Sequence, residues 1–285
     1  MRTGRWPAHL AIALATTLAL AGCGRDEPER APAGAVVDVG EGREPAQVAD
    51  TPATPPALED VMERDPRYLV GISFPPEARR YPGLAVELSA FADAARADLD
   101  EAVASLGEGR PTAPYDLVLD FSLLTETADV VAVAADGSSY TGGAHGNPLI
   151  ARYVWLPRQE QMLTAAELMS DAGGWEAISE YVREQLHAQM LQRMDAETLE
   201  PDERRRLLGS STRMINEGSG PDPENFANFE PVMDARGGIE ALRFVFPPYH
   251  VGPYSDGVQT VVVPAEILRP YVAEPWQKLF APDRV

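Results

Sequence analysis

Few residues in this 285-residue chain belong to a recognisable catalytic or ligand-binding motif. The sequence contains no G-x-S-x-G, Walker or H-E-x-x-H motif, so the enzyme classes that carry those signatures are excluded. It has one cysteine, Cys23, which excludes an intrachain disulfide. Residue types suited to recognition are concentrated in two segments, one around His145 and one around His250.

The first segment, Tyr140-Thr-Gly-Gly-Ala-His-Gly-Asn147, combines a phenol, an imidazole and three glycines. Glycine adopts backbone angles that other residues avoid, and a glycine-rich loop exposes its peptide N–H groups. Tyr140, Gly142, Gly143 and His145 are therefore candidate residues for binding an anion or a sugar. The same pattern is equally typical of a tight connection in which the histidine bonds a neighbouring carbonyl.

The second segment runs from Phe244 to Gly257 and contains Phe-Pro-Pro-Tyr-His-Val-Gly-Pro-Tyr-Ser-Asp-Gly. Its prolines fix the backbone, and the rings of Tyr249 and Tyr254 have an apolar body and a polar tip. A rigid loop of this kind suits protein or carbohydrate recognition. Tyr249, His250 and Tyr254 are the candidate residues here, and a packed corner between two strands is the alternative.

The sequence does not decide whether the two segments meet. If His145 and His250 lay beside Asp256, the three side chains could hold a metal or act as acid and base. Their spacing is not that of a metal-binding motif, and neither a metal nor a cofactor is predicted. His187 follows Leu186 in a helical pattern and is predicted to be a partly exposed helical side chain without a role.

The charge of the chain limits its partners. Asp and Glu number 44 against 24 Lys and Arg, which gives a formal net charge of -20 at pH 7. Nucleic acid is excluded as a partner because binding phosphate requires a basic surface. A chain of this length hides roughly 70–75% of its unfolded surface, so it can build a core without disulfides.

Residues 1–22 have the pattern of a bacterial lipoprotein signal peptide. A basic start precedes an apolar run of about a dozen residues, which is too short to span a bilayer comfortably. The run ends in Leu20-Ala-Gly-Cys23, which matches a lipobox. We expect Cys23 to be acylated and to anchor the chain in the membrane. An ordinary signal peptide or a cytoplasmic apolar helix, each with a chance cysteine, is the alternative.

Gly24 and the segment that follows it predict the membrane in which the protein is anchored and the tether that joins its folded part to the lipid. Gly24 stands in place of an aspartate, so in a Gram-negative host the protein is predicted to be in the outer membrane, facing the periplasm. Residues 23–57 are dominated by Pro, Ala, Gly and charge. Such a segment cannot offset its ordering entropy and is predicted to be a disordered tether, stiffened by proline.

The folded part starts near Leu58 and is predicted to be α+β. Residues 115–123 alternate clearly between apolar and polar, and Pro82 opens a long pattern with helical spacing. Strands are predicted at 68–74, 115–123, 129–134, 149–156, 226–233, 239–246 and 258–263, and helices at 82–106, 175–194 and after Pro264, with a capping box at 164–167 and weak helix plus loop at 195–225. Short turns between consecutive strands predict antiparallel sheets packed by a few helices rather than a doubly wound fold.

The order of these elements and the two segments described above resemble the extracytoplasmic domain pair of the RsiV/PdaC family, over about residues 65–275. The Leu163-Thr-Ala-Ala-Glu-Leu168 helix start belongs to the same resemblance. It implies two closely associated subdomains, a PdaC-like one at 58–110, which could extend to about 145, and an RsiV-like one at 111–285.

In that family the domain pair is an accessory module. It is attached to an anti-sigma factor that binds lysozyme, or it precedes the catalytic domain of a peptidoglycan deacetylase. This sequence shows neither an anti-sigma segment with its transmembrane helix nor a deacetylase domain. His250 also stands where the family often has an acidic residue, so no detailed binding contacts are transferred.

The resemblance implies a non-catalytic envelope lipoprotein that binds a cell-wall-associated protein or glycan, with a lysozyme-like muramidase as a candidate. The acidic charge would steer a cationic enzyme toward it in a salt-dependent way. One alternative is a cell-wall amidase, deacetylase or esterase that uses His145 or His250 with a carboxylate. Another is a structural lipoprotein without a dedicated ligand.

Overall fold

Six strands in the first half of the chain form one sheet in sequence order. The computed structural model describes residues 56–196 and 198–282, so the predicted signal peptide, Cys23 and nearly all of the predicted tether lie outside the described residues. The strands are β1 (Val61–Arg64), β2 (Tyr68–Ser73), β3 (Tyr115–Glu126), β4 (Val131–Tyr140), β5 (Asn147–Leu156) and β6 (Gln161–Met162).

Helix α1 (Pro82–Ser105) covers one face of this sheet and explains its single parallel pair. Proline in the first turn starts α1, and the buried stripe of the helix includes Leu84, Leu88 and Leu99. Since α1 carries the chain back across the sheet, β2 and β3 run parallel, while the other neighbours are antiparallel. The predicted β3–β4–β5 meander is confirmed.

The described residues of the second half form four helices and a three-stranded antiparallel sheet. The helices are α2 (Ala165–Leu168), α3 (Ala172–Ala196), α4 (Pro201–Gly218) and α5 (Ala265–Leu268), and the strands are β7 (Phe229–Met233), β8 (Ile239–Phe246) and β9 (Gln259–Pro264). Short 3-10 helices lie at Pro76–Arg80, Pro223–Phe226, Tyr254–Asp256 and Glu274–Leu279. The predicted α+β class is therefore confirmed.

Two hydrophobic cores lie in this structure. One is formed by α1 and the six-stranded sheet, and the other by α3, the three-stranded sheet, the end of β5 and Val130 just before β4. The predicted subdomain border near residue 110 falls between α1 and β3, inside the six-stranded sheet, because β2 and β3 pair across it. The change from one sheet to the other follows β6.

One ion pair joins the two sheets in the interior. Nε of Arg152 on β5 lies 2.9 Å from Oε2 of Glu230 on β7, and each side chain is 8% exposed.

None of the helices in residues 56–196 and 198–282 is both long and apolar enough to cross a bilayer.

Candidate functional site

The two segments singled out in the sequence meet at the surface. The Tyr249 hydroxyl lies 2.8 Å from Nε2 of His145, although the two residues are 104 positions apart. The Tyr254 ring stacks on the imidazole, with 4.0 Å between ring centroids and 16° between ring planes. We call His145, Tyr249 and Tyr254 the aromatic cluster.

The hydrogen bonds of His145 define its tautomer. Nδ1 lies 3.1 Å from the carbonyl oxygen of Gly146, which can only accept, so in the neutral ring Nδ1 carries the proton. Nε2 is then free to accept a hydrogen bond from the Tyr249 hydroxyl. The imidazole thus bonds a neighbouring carbonyl, as in a tight connection, and also takes part in a contact between two loops.

The β4–β5 connection holds His145 through its glycines. Gly142 and Gly143 have φ angles of 104° and 102°, in the left-handed region that side chains rarely adopt. The Tyr140 hydroxyl donates to the Gly143 carbonyl at 3.3 Å and ties the connection to the end of β4. The three glycine-loop candidates Tyr140, Gly142 and Gly143 therefore shape this connection, while His145 makes the contact with the other loop.

The β8–β9 connection holds the two tyrosines, and Tyr249 is strained. Its φ is 73°, which is rare for a bulky residue, and its side chain is 54% exposed. The turn is closed by hydrogen bonds from the Tyr249 N–H to Gly252 O at 2.9 Å and from the His250 N–H to Pro247 O at 3.0 Å. Strained backbone under an exposed aromatic ring is the combination that clusters at functional sites.

His250 follows Tyr249 but takes no part in the aromatic cluster. Its Nε2 lies 2.9 Å from the carbonyl oxygen of Gly218 at the end of α4, and its ring packs against Phe246. Burial lowers the pKa of His250, partly offset by the hydrogen bond to Gly218. His250 therefore attaches the β8–β9 connection to α4.

Asp256 is occupied elsewhere as well. Its Oδ2 lies 3.2 Å from Nη2 of Arg193 on α3, and the same guanidinium reaches Oε1 of Gln259 at 3.0 Å. The site that His145, His250 and Asp256 would have formed by convergence is therefore absent. Nowhere in residues 56–196 and 198–282 does a group of three or more His, Cys, Asp or Glu side chains suit a metal ion.

A cavity of about 320 Å³ lies on the glycine side of the β4–β5 connection. Tyr140, Gly142 and Gly143 line it, together with Tyr115 at the start of β3 and Arg110 in the α1–β3 connection. Sequence reasoning missed Arg110 and Tyr115. The available signal was weak, since Arg110 stands only in a segment of Gly and Pro that follows α1.

Comparison with known proteins gives one family match. A family model described as a protein of unknown function, DUF3298, matches residues 170–266. A DUF3298 family member from Bacteroides fragilis is 15% identical with a TM-score of 0.48, and the match covers 78% of this chain and 95% of that chain. A DUF3298 family protein from Pseudomonas aeruginosa PAO1 is 16% identical with a TM-score of 0.45, over 79% and 96%.

No curated protein matches this sequence. The region matched by the DUF3298 model includes α3, α4, the three-stranded sheet and the loop that carries Tyr249 and Tyr254. DUF3298 is the domain associated with the RsiV/PdaC family, so the resemblance stated from the sequence is confirmed. Over residues 170–266 this chain is similar to the DUF3298 family.

Proposed function

We propose that this protein is a non-catalytic binding module of the bacterial cell envelope that recognises a cationic cell-wall-associated protein. A lysozyme-like muramidase is the candidate partner. The observation that carries the proposal is the aromatic cluster, in which His145, Tyr249 and Tyr254 meet at the surface from two distant loops.

The chemistry of the cluster favours recognition of a protein. Tyrosine supplies a large contact area with two rotatable angles, and it is enriched among the residues that dominate protein interfaces. The stacking of Tyr254 on His145 and the hydrogen bond from Tyr249 fix the rings before a partner arrives. Preorganised side chains lose little conformational entropy on binding, which raises the affinity.

The charge of the chain favours a cationic partner. A net charge of -20 attracts basic proteins over several ångströms and accelerates their association at low ionic strength. The predicted acylation of Cys23 would keep the module at the envelope, where enzymes of the cell wall act. Both arguments come from the sequence and do not depend on the geometry of the cluster.

The hydrogen bonds of the histidines favour binding over hydrolysis. The alternative hydrolase was predicted to use His145 or His250 together with a carboxylate. His145 instead contacts the Tyr249 hydroxyl and the Gly146 carbonyl, and His250 contacts the Gly218 carbonyl.

Calorimetry with c-type lysozyme tests the proposal. The chain from residue 24 onward lacks the predicted signal and lipidated cysteine and retains all of the described residues, 56–196 and 198–282. We expect saturable binding at low salt that weakens as NaCl is raised. Tyr254→Ala and His145→Ala are expected to weaken it at least about tenfold, or ~1.4 kcal/mol.

The matched control is Met62→Ala on β1, which truncates a side chain that is 76% exposed outside the cluster. It should bind like the wild type. Absence of binding at low salt, or equal losses in all three variants, would contradict the proposal. Peptidoglycan binding that is lost in Tyr254→Ala and His145→Ala would identify a glycan as the ligand of the cluster instead. Hydrolysis of peptidoglycan by the wild type would identify a hydrolase.

A further inference from the structure

The cavity beside Gly142 and Gly143 has a chemistry of its own. It lies between the α1–β3 connection and the β4–β5 connection, and its volume of about 320 Å³ is at the lower end for small-molecule sites. Its size therefore suits one sugar ring or a similar small molecule rather than a chain. The aromatic cluster uses His145 of the same connection, whereas the cavity uses the glycines and Tyr140.

The polar and aromatic groups of the cavity suit a sugar. Tyr115 and Tyr140 offer rings against which the C–H face of a sugar can pack, and their hydroxyls can bond sugar hydroxyls. The Tyr140 ring is anchored, since its hydroxyl donates to Gly143 O. A side chain at Gly143 would meet no atom within 4 Å, so the peptide backbone there is open to a ligand.

The charge of the cavity suits a carboxylate. Among the described residues that line it, Arg110 is the only charged one, although the chain as a whole has a net charge of -20. Guanidinium groups bind carboxylates through two parallel hydrogen bonds. Asp65 interacts electrostatically with Arg110, but its carboxylate is already bonded to the backbone N–H of Arg67 at 2.9 Å and to Nε of Arg67 at 3.1 Å.

We infer that this cavity binds a sugar unit that carries a carboxylate. The rings of Tyr115 and Tyr140 pack against the sugar, and Arg110 pairs with its carboxylate. The inference does not rest on the proposed protein partner, because the two sites use different residues of the β4–β5 connection.

An NMR titration of the chain from residue 24 onward tests this with two matched probes. N-acetylmuramic acid carries a carboxylate on its lactyl group, and N-acetylglucosamine lacks that group. We expect the acidic sugar to shift the amide signals of Gly142 and Gly143 and to saturate in the millimolar range. The neutral sugar is expected to bind about tenfold more weakly.

Arg110→Gln should abolish the difference between the two sugars. Arg110 is exposed, so this variant is expected to fold, and Arg206→Gln on α4 removes an exposed arginine elsewhere as the matched control. The control should keep the wild-type preference. Three outcomes would overturn the inference: no binding of either sugar, an unchanged preference in Arg110→Gln, or acetate saturating the same signals as tightly as the acidic sugar.

Discussion

Two of the contacts between the six-stranded sheet and the three-stranded sheet or its loops differ in burial and in chemistry. The Arg152–Glu230 pair lies in the interior, where each side chain is 8% exposed. The aromatic cluster lies at the surface, where the Tyr249 side chain is 54% exposed. Both contacts use residues that are far apart in the sequence.

Both charged groups of the buried pair have several hydrogen-bond partners, as expected for a structural ion pair. Arg152 donates to the carbonyls of Ala135 and Ala151 and to Asp136 as well as to Glu230. The second carboxylate oxygen of Glu230 lies 2.5 Å from Nη1 of Arg243. Buried ions persist only when they are paired and hydrogen-bonded in this way.

The exposed cluster shows the opposite arrangement. Tyr249 is exposed, and its strained φ of 73° costs stability. Under the proposed function, cohesion of the two sheets and recognition of a partner depend on different contacts. Four substitutions test this division, from the largest expected effect to the smallest.

Replacing Glu230 with alanine should strongly destabilise the protein. The variant leaves the guanidinium of Arg152 buried without its main counterion, which costs about 3–5 kcal/mol of unfolding free energy. Urea unfolding measures the loss. Asp136→Ala is the control, because it removes the half-exposed partner of the same arginine and should cost less than about 1 kcal/mol.

A double replacement sharpens the same test. Arg152→Met combined with Glu230→Leu removes both charges and keeps the volume, so it should recover most of the stability lost in Glu230→Ala. Equal, small losses in Glu230→Ala and Asp136→Ala would mean that the buried pair does not hold the sheets together.

Gly218→Ala should disturb the loop that carries the cluster. A methyl group at Gly218 would lie 2.0 Å from the carbonyl oxygen of His250, so the backbone of the β8–β9 connection must move. We expect a loss of about 1–3 kcal/mol in unfolding free energy and weaker binding of lysozyme.

Gly209→Ala on the same helix is the matched control. A methyl group there meets no atom within 4 Å, so the change should stabilise α4 by about 0.5–1 kcal/mol and leave binding intact. If both variants behaved alike, the position of the Tyr249 loop would not depend on its contact with α4.

Tyr249→Gly should separate stability from recognition. Glycine relieves about 1–2 kcal/mol of left-handed backbone strain and gives back roughly 0.5–1 kcal/mol as conformational entropy. We expect an unfolding free energy within about 1 kcal/mol of the wild type and at least tenfold weaker lysozyme binding. Glu160→Gly, at a φ of 53° outside the cluster, is the control and should keep full binding.

The elements with one-sided burial could be predicted from the sequence. The helical spacing that begins at Pro82 predicted α1 to within one residue, and the alternation from Tyr115 predicted β3. Helix α4 was predicted only as weak helix plus loop, because among its 18 residues only Ile215 and Gly218 are buried and its sequence is dominated by charged and small polar residues. The short strands β1 and β6 gave too few residues for a pattern.

The candidate site was predictable residue by residue but not as a contact. His145, Tyr249 and Tyr254 were selected by their residue types, whereas their meeting depends on how the two sheets pack. His250 was selected with them and lies apart, because the left-handed turn at Tyr249 directs the two neighbouring side chains to different surroundings. No local sequence pattern predicts a left-handed backbone at Tyr249.

His250→Gln tests, through the pH dependence of the unfolding free energy, whether the His250 side chain is buried. It is expected to have the smallest effect. Burial lowers the pKa of His250 in the folded state below the ordinary value of about 6.5. As the pH falls through 6.5, the unfolded chain takes up a proton that the folded protein does not, so the wild type loses stability until the folded pKa is reached. His250→Gln lacks this contribution. Urea unfolding at pH 7.5 and at pH 5, one value on each side of the ordinary pKa of about 6.5, should therefore show the wild type losing more stability than the variant. Parallel pH profiles would mean that the His250 ring is as hydrated as that of a surface histidine, and the contrast between the interior and exterior of this loop would then fail.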